Sequence, residues 1–464
     1  MEATKKPVIL FLMMQNPDID HLVPIAVLLA ETKKYTIKIL THKNHVNFQE
    51  DERIKYLKEN YGIKVKAISD YYPISSKIPW LLYKWRSYWG IKCKNTKPLM
   101  VFGINIKSVM FPKFHIFRIS RYFVDNILRL WLGGKKWGVD VMRNEAPSVV
   151  VIDHAFSTEW ISSFINQVKI HGIPTISFPH SSFMFTHLDV LHTEKNKDIV
   201  PDHTETSFPW DYVVVESKFR VELLNKLGVD LSKMYPIGCI RYTRWWEDKL
   251  LGVYHNQHFD YKGNKPVVLF LASGANITLE EEINKLLDLM IEYSDKLKFI
   301  VKVHPRRSRT EQFKKLSKYG VSIVGEGLSS SCLINFSDYI LVTASSVINS
   351  ALIKKKRIID VKFTMDNNTT FSKYGVIKAV ESIDELKSVL NKIVSSDWTH
   401  TVDNKCIAAY LRECVHGMNE DEDKMIGQSL DFFSKILSVK SSPNIQYKIK
   451  SDREVLLKNL MAIK

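Results

Sequence analysis

Short runs of β-branched and aliphatic residues alternate with stretches of helical periodicity through most of the chain. The runs at 8–13, 35–40, 65–68, 148–152, 175–178 and 212–216 form one series, and those at 267–271, 298–303, 321–324, 339–343 and 357–361 form a second. Runs this short, apolar throughout and each followed by a helical pattern, belong to parallel strands in a sheet covered by helices on both faces. The pattern therefore predicts an α/β chain with two parallel sheets. Between the series lies a weakly patterned polar segment, 247–264, which ends in Lys262-Gly263-Asn264-Lys265-Pro266 and reads as an interdomain linker. The expected division is an N-terminal domain over 1–246, a second over 265–385, and helices over 386–464 with polar breaks near 416–424 and 441–444.

Size and composition narrow the class. At 464 residues the chain exceeds one core of ordinary size, and 45% hydrophobic with 25% charged residues is the balance of a folded globular protein. The first apolar run, from Pro7 to Met14, is too short to span a bilayer and lacks a small-residue cleavage site, and no long uncharged apolar stretch follows. The five cysteines are scattered and have no metal-ligand spacing, which fits a reducing cytoplasm. The net charge of +16 is concentrated. Thirteen Lys or Arg against the single acid Asp125 lie within 77–137, interleaved with aromatics that include Trp80, Trp85, Trp89, Trp131 and Trp137. Cations with interfacial rings suit an anionic membrane or an anionic acceptor, and they equally suit core helices with solvated cations. Single-stranded nucleic acid is a third partner for such a mixture, but no nucleic-acid motif accompanies it, so none is expected.

The segment Lys302-Val303-His304-Pro305-Arg306-Arg307 ends an apolar strand in a histidine, a proline and two guanidiniums. Ligands of open α/β sheets bind at the carboxyl ends of strands, and an imidazole beside guanidiniums matches a diphosphate without needing a metal. The plainer alternative is a strand-end histidine bonded to a neighbouring carbonyl. Downstream, Thr343-Ala344-Ser345-Ser346 reads as a hydroxyl-rich turn between strand and helix, either capping the helix or offering N–H groups to an anion. Ser273-Gly274, after another strand, forms a small-residue loop able to approach phosphate closely. Asp18-Ile19-Asp20 has the form of a metal-binding pair but is better read as acids at a helix start; no metal is expected. His21 follows the first strand, and Asp153 with His154 ends another, a pair suited to acid or base work. Neither a dinucleotide-binding glycine pattern nor a P-loop is present.

A Lys-x-His-Pro strand end at Lys302–Pro305, followed about forty residues later by Ser337-Asp338-Tyr339 and Thr343-Ala344-Ser345-Ser346-Val347, resembles the donor-site pattern of a group of bacterial transferases. These are the CDP-glycerol glycerophosphotransferases, the capsule Kdo transferases and the bacterial polysialyltransferases. Tyr235-Pro236-Ile237-Gly238-Cys239-Ile240-Arg241-Tyr242 and Ile173-Pro174-Thr175-Ile176-Ser177-Phe178-Pro179-His180-Ser181 are similar to two further segments of the group. The resemblance implies a GT-B fold, two Rossmann-like domains facing across a cleft, with C-terminal helices returning to the first domain. It implies a nucleotide-linked donor, CMP- or CDP-linked, whose phosphate falls on His304, Ser345 and Ser346 in the second domain; the strand-end and loop reading adds Lys302, Arg306, Arg307, Ser273, Gly274 and Thr343 as donor-binding residues. A base in the first domain, Asp153 or His180, would act on a glycan or lipid-linked glycan acceptor. The implied activity is metal-independent, cofactor-free transfer in capsule, lipopolysaccharide or teichoic acid synthesis, in the cytoplasm or at the inner membrane face. Two departures stand out: Asn349-Ser350 occupies the place where the group carries an acid, and His180-Ser181 replaces His-Gly. A UDP-sugar 2-epimerase and a catalytically inactive subunit of a polysaccharide assembly complex are the alternatives.

Overall fold

The computed structural model of the chain describes residues 6–14, 16–41, 48, 50–71, 100–101, 104–105, 136–153, 159–179, 182–185, 209–226, 228–273, 278–304, 310–325, 327–365, 368–399 and 402–438. The basic aromatic segment expected at 77–137 falls almost wholly outside them. The strands are β1 (Val8–Met13), β2 (Thr36–Thr41), β3 (Lys64–Ala67), β4 (Met100–Val101), β5 (Ile104–Asn105), β6 (Val149–Asp153), β7 (Thr175–Phe178), β8 (Tyr212–Val215), β9 (Met234–Pro236), β10 (Val267–Leu271), β11 (Lys298–Lys302), β12 (Ser322–Val324), β13 (Tyr339–Val342), β14 (Arg357–Val361) and β15 (Lys378–Val380). One sheet has the order β3-β2-β1-β6-β7-β8-β9 and a second the order β12-β11-β10-β13-β14-β15, while β4 and β5 pair separately. β1 runs parallel to β2 and β6, and β10 runs parallel to β11 and β13. Both expected sheets are thus present, each extended at an edge by a three-residue strand, β9 or β15.

The chain divides into two compact units, one of Met1–His180, Thr204–Val213 and Ile436–Lys440, the other of Ser181–His203, Val214–Lys435 and Ser441–Lys464. The segment 247–264 opens inside the helix Arg244–Val253, and both lie in the second unit. One of its polar residues is polar for a structural reason: Glu247 is buried and pairs with Lys354 at 2.9 Å, and it accepts a hydrogen bond from Ser331 Oγ at 2.8 Å.

The second sheet shows how the apolar runs become a two-sided core. Side chains alternate across a strand, so Val268, Phe270, Phe299, Val301, Leu341, Ile359 and Val361 fall on one face. Val267, Leu269, Leu271, Ile300, Ile340, Val342 and Ile358 fall on the other. The helices Glu280–Glu292 and Ile383–Val394 cover the first face with Leu286, Met290, Leu386 and Leu390. Ser330–Phe336, Ile348–Ile353 and Asn404–Cys414 cover the second with Leu333, Ala351 and Tyr410. Each large aliphatic or aromatic side chain buried in this way contributes about 1.5–3 kcal/mol.

The helix Asn404–Cys414 is locked down by two glycines. Gly417 (φ +58°) donates its N–H to Glu216 O, and a Cβ there would stand 2.5 Å from Gly238 N and 2.7 Å from Pro236 O. Gly238 (φ +99°) faces the same contact, with the His416 carbonyl carbon 2.7 Å from where its Cβ would be. At Gly417 backbone therefore meets backbone alone and no flexible atom can yield, whereas at Gly238 the flexible Met425 side chain is also in the way. Gly417→Ala is expected to lower unfolding stability by about 2–4 kcal/mol, through overpacking added to left-handed strain. Gly320→Ala, at φ +77° but facing open space, should cost only about 1 kcal/mol. Denaturant titration of the two variants should separate them, and equal losses would mean that the close approach is unimportant.

Candidate functional site

In the second sheet the strand order reverses between β10 and β13, since the chain proceeds from β10 outward to β11 and from β13 outward to β14. Such a switch point leaves a crevice at the carboxyl ends, where open α/β sheets bind ligands. Four expected residues stand there. Ser273 lies two positions past β10, and its N–H donates to Thr343 Oγ1 at 3.0 Å while its Oγ donates to Ala344 O at 2.6 Å. Thr343 Oγ1 in turn donates to Ser273 Oγ. Thr343 is fully buried, whereas Ser345 and Ser346 remain half-buried. Thr343 and Ser273 therefore close the base of the crevice, and the next two hydroxyls are its exposed part.

The turn differs from the expected helix cap. Ile348, Asn349 and Ser350 donate their N–H groups to the carbonyls of Ser345, Ser346 and Val347, each at 3.1 Å, and the helix Ile348–Ile353 begins without a side-chain cap. Thr343 is occupied with Ser273, so it does not serve as a cap either. A helix of six residues has only a small dipole, so an anion here would depend on hydroxyl, backbone and imidazole donors.

His304 stands two positions past the end of β11, half-buried, after Val303 donates to Val324 O at 3.1 Å. Lys302 turns its ammonium to the carbonyls of Gly325 and Leu328, fastening β11 to the loop after β12. Gly274, Arg306 and Arg307 lie outside the described residues, as does His180.

Sequence reasoning did not anticipate the segment 182–185, which belongs to the second unit and lies against the same turn. Phe185 packs with Ala344 and Met365, and Phe183 and Met184 pack around them. Met365 Sδ accepts the Ala344 N–H at 3.2 Å. Phe183 N–H donates to Glu216 at 2.7 Å, and the Arg220 guanidinium both pairs with Glu216 and lies 5.5 Å from the Phe183 ring centre. Burial pushes the Glu216 carboxyl up against the pull of Arg220. Thr370 donates to Met184 O at 2.7 Å, and Thr369 bridges Phe185. Asn349 is fully buried, donating to Ser182 Oγ at 2.7 Å and accepting from Tyr410 OH at 2.8 Å. Both ends of its amide are thereby engaged by protein.

The first unit has its own switch point, between β1 and β6. Asp18 is buried and accepts the Met14 N–H, while Asp20 pairs with Arg53, which also holds Asp51 at 2.7 Å. The two acids of Asp18-Ile19-Asp20 thus turn to different partners. Among the described residues no group of three or more His, Cys, Asp or Glu is placed to hold a metal ion. His21 and Asp153 are both buried, Asp153 as the last residue of β6. No helix of the described residues is long and apolar enough to cross a membrane.

No profile of a known protein family matches the sequence, and neither does any curated protein. Solved structures do match along nearly the whole chain. The UDP-GlcNAc 2-epimerase of Methanocaldococcus jannaschii shares 13% identity and a TM-score of 0.51, over 91% of this chain and 99% of that one. Staphylococcus aureus MnaA, solved with UDP, shares 11% and 0.50, over 93% and 97%. Arabidopsis thaliana UGT89C1, solved with UDP-L-rhamnose, shares 13% and 0.52, over 94% and 99%. The chain has the GT-B fold. In GT-B terms β10–β15 form the second Rossmann-like sheet, and the crevice beside Ser345 and Ser346 lies at that sheet's switch point.

One buried acid borders this crevice at a cost to stability. Asp360, opposite Val342 in the β13–β14 register, is fully buried, and burial pushes its carboxyl up to about 6. Ser372 Oγ donates to Oδ2 at 2.8 Å, while Oδ1 has no partner. A carboxyl raised from an ordinary 3.8 contributes stability below that value and loses it as pH climbs through about 6. Two units at about 1.4 kcal/mol each make about 3 kcal/mol. Asp360→Asn, which keeps an acceptor for Ser372, should stabilise the protein by about that much at pH 8. At pH 4 the gain should vanish. Unfolding at the two pH values checks this, and a gain independent of pH would contradict it.

Proposed function

We propose that the chain is a GT-B enzyme acting on a nucleotide-linked donor, with the donor phosphate at the β10/β13 switch point of the second sheet. The observation that carries this reading is the hydroxyl turn at Ser345 and Ser346, built over the Ser273–Thr343 contact and accompanied by His304 at the next strand end. In this reading His304, the two serines and the Arg306-Arg307 pair stabilise the charge that develops on the departing phosphate. They do so without a metal. Asp153 or His180 acts as base on an acceptor hydroxyl. The sequence resemblance favours transfer from a CMP- or CDP-linked donor to a glycan or lipid-linked glycan, in bacterial-type surface polysaccharide. His304→Ala is expected to lower transfer about 10²–10³-fold, the usual cost of one transition-state donor, with unchanged unfolding and with wild-type activity persisting in EDTA. Unchanged turnover in the variant would sink the mechanism, and strict dependence on a divalent cation would sink its metal-free form.

A second reading has its own support, because the solved structures of similar fold include a UDP-GlcNAc 2-epimerase. An epimerase needs no acceptor, so incubation with UDP-GlcNAc alone discriminates. Formation of an epimer favours the second reading, and transfer that appears only with an added glycan favours the first.

The segment 77–137, with thirteen cations against one acid, is proposed to hold the enzyme at an anionic surface where a lipid-linked acceptor lies. Sedimentation with phosphatidylglycerol liposomes should weaken but persist as salt rises, since screening removes the charge attraction and spares the tryptophans. Absence of binding at low ionic strength would exclude this docking.

A further inference from the structure

We infer that Asn349 is a positioning residue for the candidate donor site, holding the Ser345–Ser346 turn through Ser182 on one side and Tyr410 on the other. The inference rests on the donor-site reading above. Asn349 is one residue inside the helix that the turn opens, and its own N–H donates to Ser346 O at 3.1 Å. Its side chain has no solvent exposure. Nδ2 donates to Ser182 Oγ at 2.7 Å and Oδ1 accepts from Tyr410 OH at 2.8 Å. Ser182 belongs to the segment whose Phe185 packs on Ala344, so the same segment grips the chain on both sides of the turn, at Ala344 and at Asn349. Tyr410 is itself buried, with the Tyr374 ring edge-on at 5.8 Å, and it belongs to the helix pinned through Gly417.

An amide suits this place because it is neutral while offering one donor and one acceptor. A protonated carboxyl does the same, whereas a carboxylate only accepts and brings a charge into a dry site. The titratable groups that bear on Tyr410 are Cys414 of its own helix and Tyr242 and Glu216 of neighbouring elements, all of them acids. A carboxyl at 349 should therefore titrate well above the ordinary range.

The test is Asn349→Asp, with Tyr410→Phe as a milder second variant, read by amide exchange at Ile348–Ser350 and by titration with UDP and CDP. At pH 5 the Asp variant should match wild type in both readouts. At pH 8 its turn amides should lose protection and its nucleotide Kd should rise, each about tenfold relative to wild type at the same pH. Tyr410→Phe should show a smaller loss at both pH values. Unchanged turn protection and affinity in the Asp variant at pH 8 would overturn the inference, as would a loss of affinity with the turn still protected. If the turn loosens as expected but wild type binds neither nucleotide, the positioning of the turn stands and the donor-site reading falls.

Discussion

A parallel sheet whose strand order reverses cannot pair the chain leaving two adjacent strand ends, because the two exits diverge to opposite sides. Backbone groups at that point need other partners, since an unpaired buried amide or carbonyl costs as much as a lost hydrogen bond. In the second sheet the need is met by three contacts between Ser273 and Thr343-Ala344. The exit from β13 is then fixed, and with it the direction in which Ser345 and Ser346 are carried before the helix Ile348–Ile353 begins. What packs against that exit follows: Met365 on the Ala344 amide, Phe185 on its side chain, and Asn349 beneath the turn.

Buried polar groups of the two units divide by cost. Glu247 with Lys354, and Glu145 with Lys38 and Lys66, are paired. Burial pushes the Glu145 carboxyl up, but hydrogen bonds from Lys66, Tyr71 and Lys38 outweigh it and hold it at about 2. Asp360 is different, with one hydrogen bond and an oxygen left over. His416, beside the two glycines, is held neutral by burial down to about 4 with Nδ1 unpartnered. Groups of this kind reduce stability at some pH and are most readily understood where geometry near a site matters more than stability.

Legibility in the sequence followed the physics that shaped each part. β1 and β10 could be read residue by residue because a strand buried on both faces leaves an unbroken apolar run. β9 and β15 have three residues each, too few to show any period. The segment 247–264 read as a linker because it is polar and weakly patterned, and the pairing of Glu247 with a lysine 107 positions away is invisible locally. His304 and the serine turn were legible as polar residues at strand ends. Asn349 was legible only as a departure from a pattern, since its partners Ser182 and Tyr410 lie 167 and 61 residues away. Lys302 illustrates the converse: a cation at a strand end suggests phosphate, but a flexible ammonium also reaches the carbonyls of a neighbouring loop.

The account centres on the claim that a nucleotide binds at the β10/β13 switch point. Hydrogen exchange with and without saturating UDP or CDP tests it most directly, because it locates binding without assuming an activity. The account predicts added protection at residues 343–348 and 303–304. Protection confined to the ends of β1 and β6, or none with either nucleotide, would contradict it.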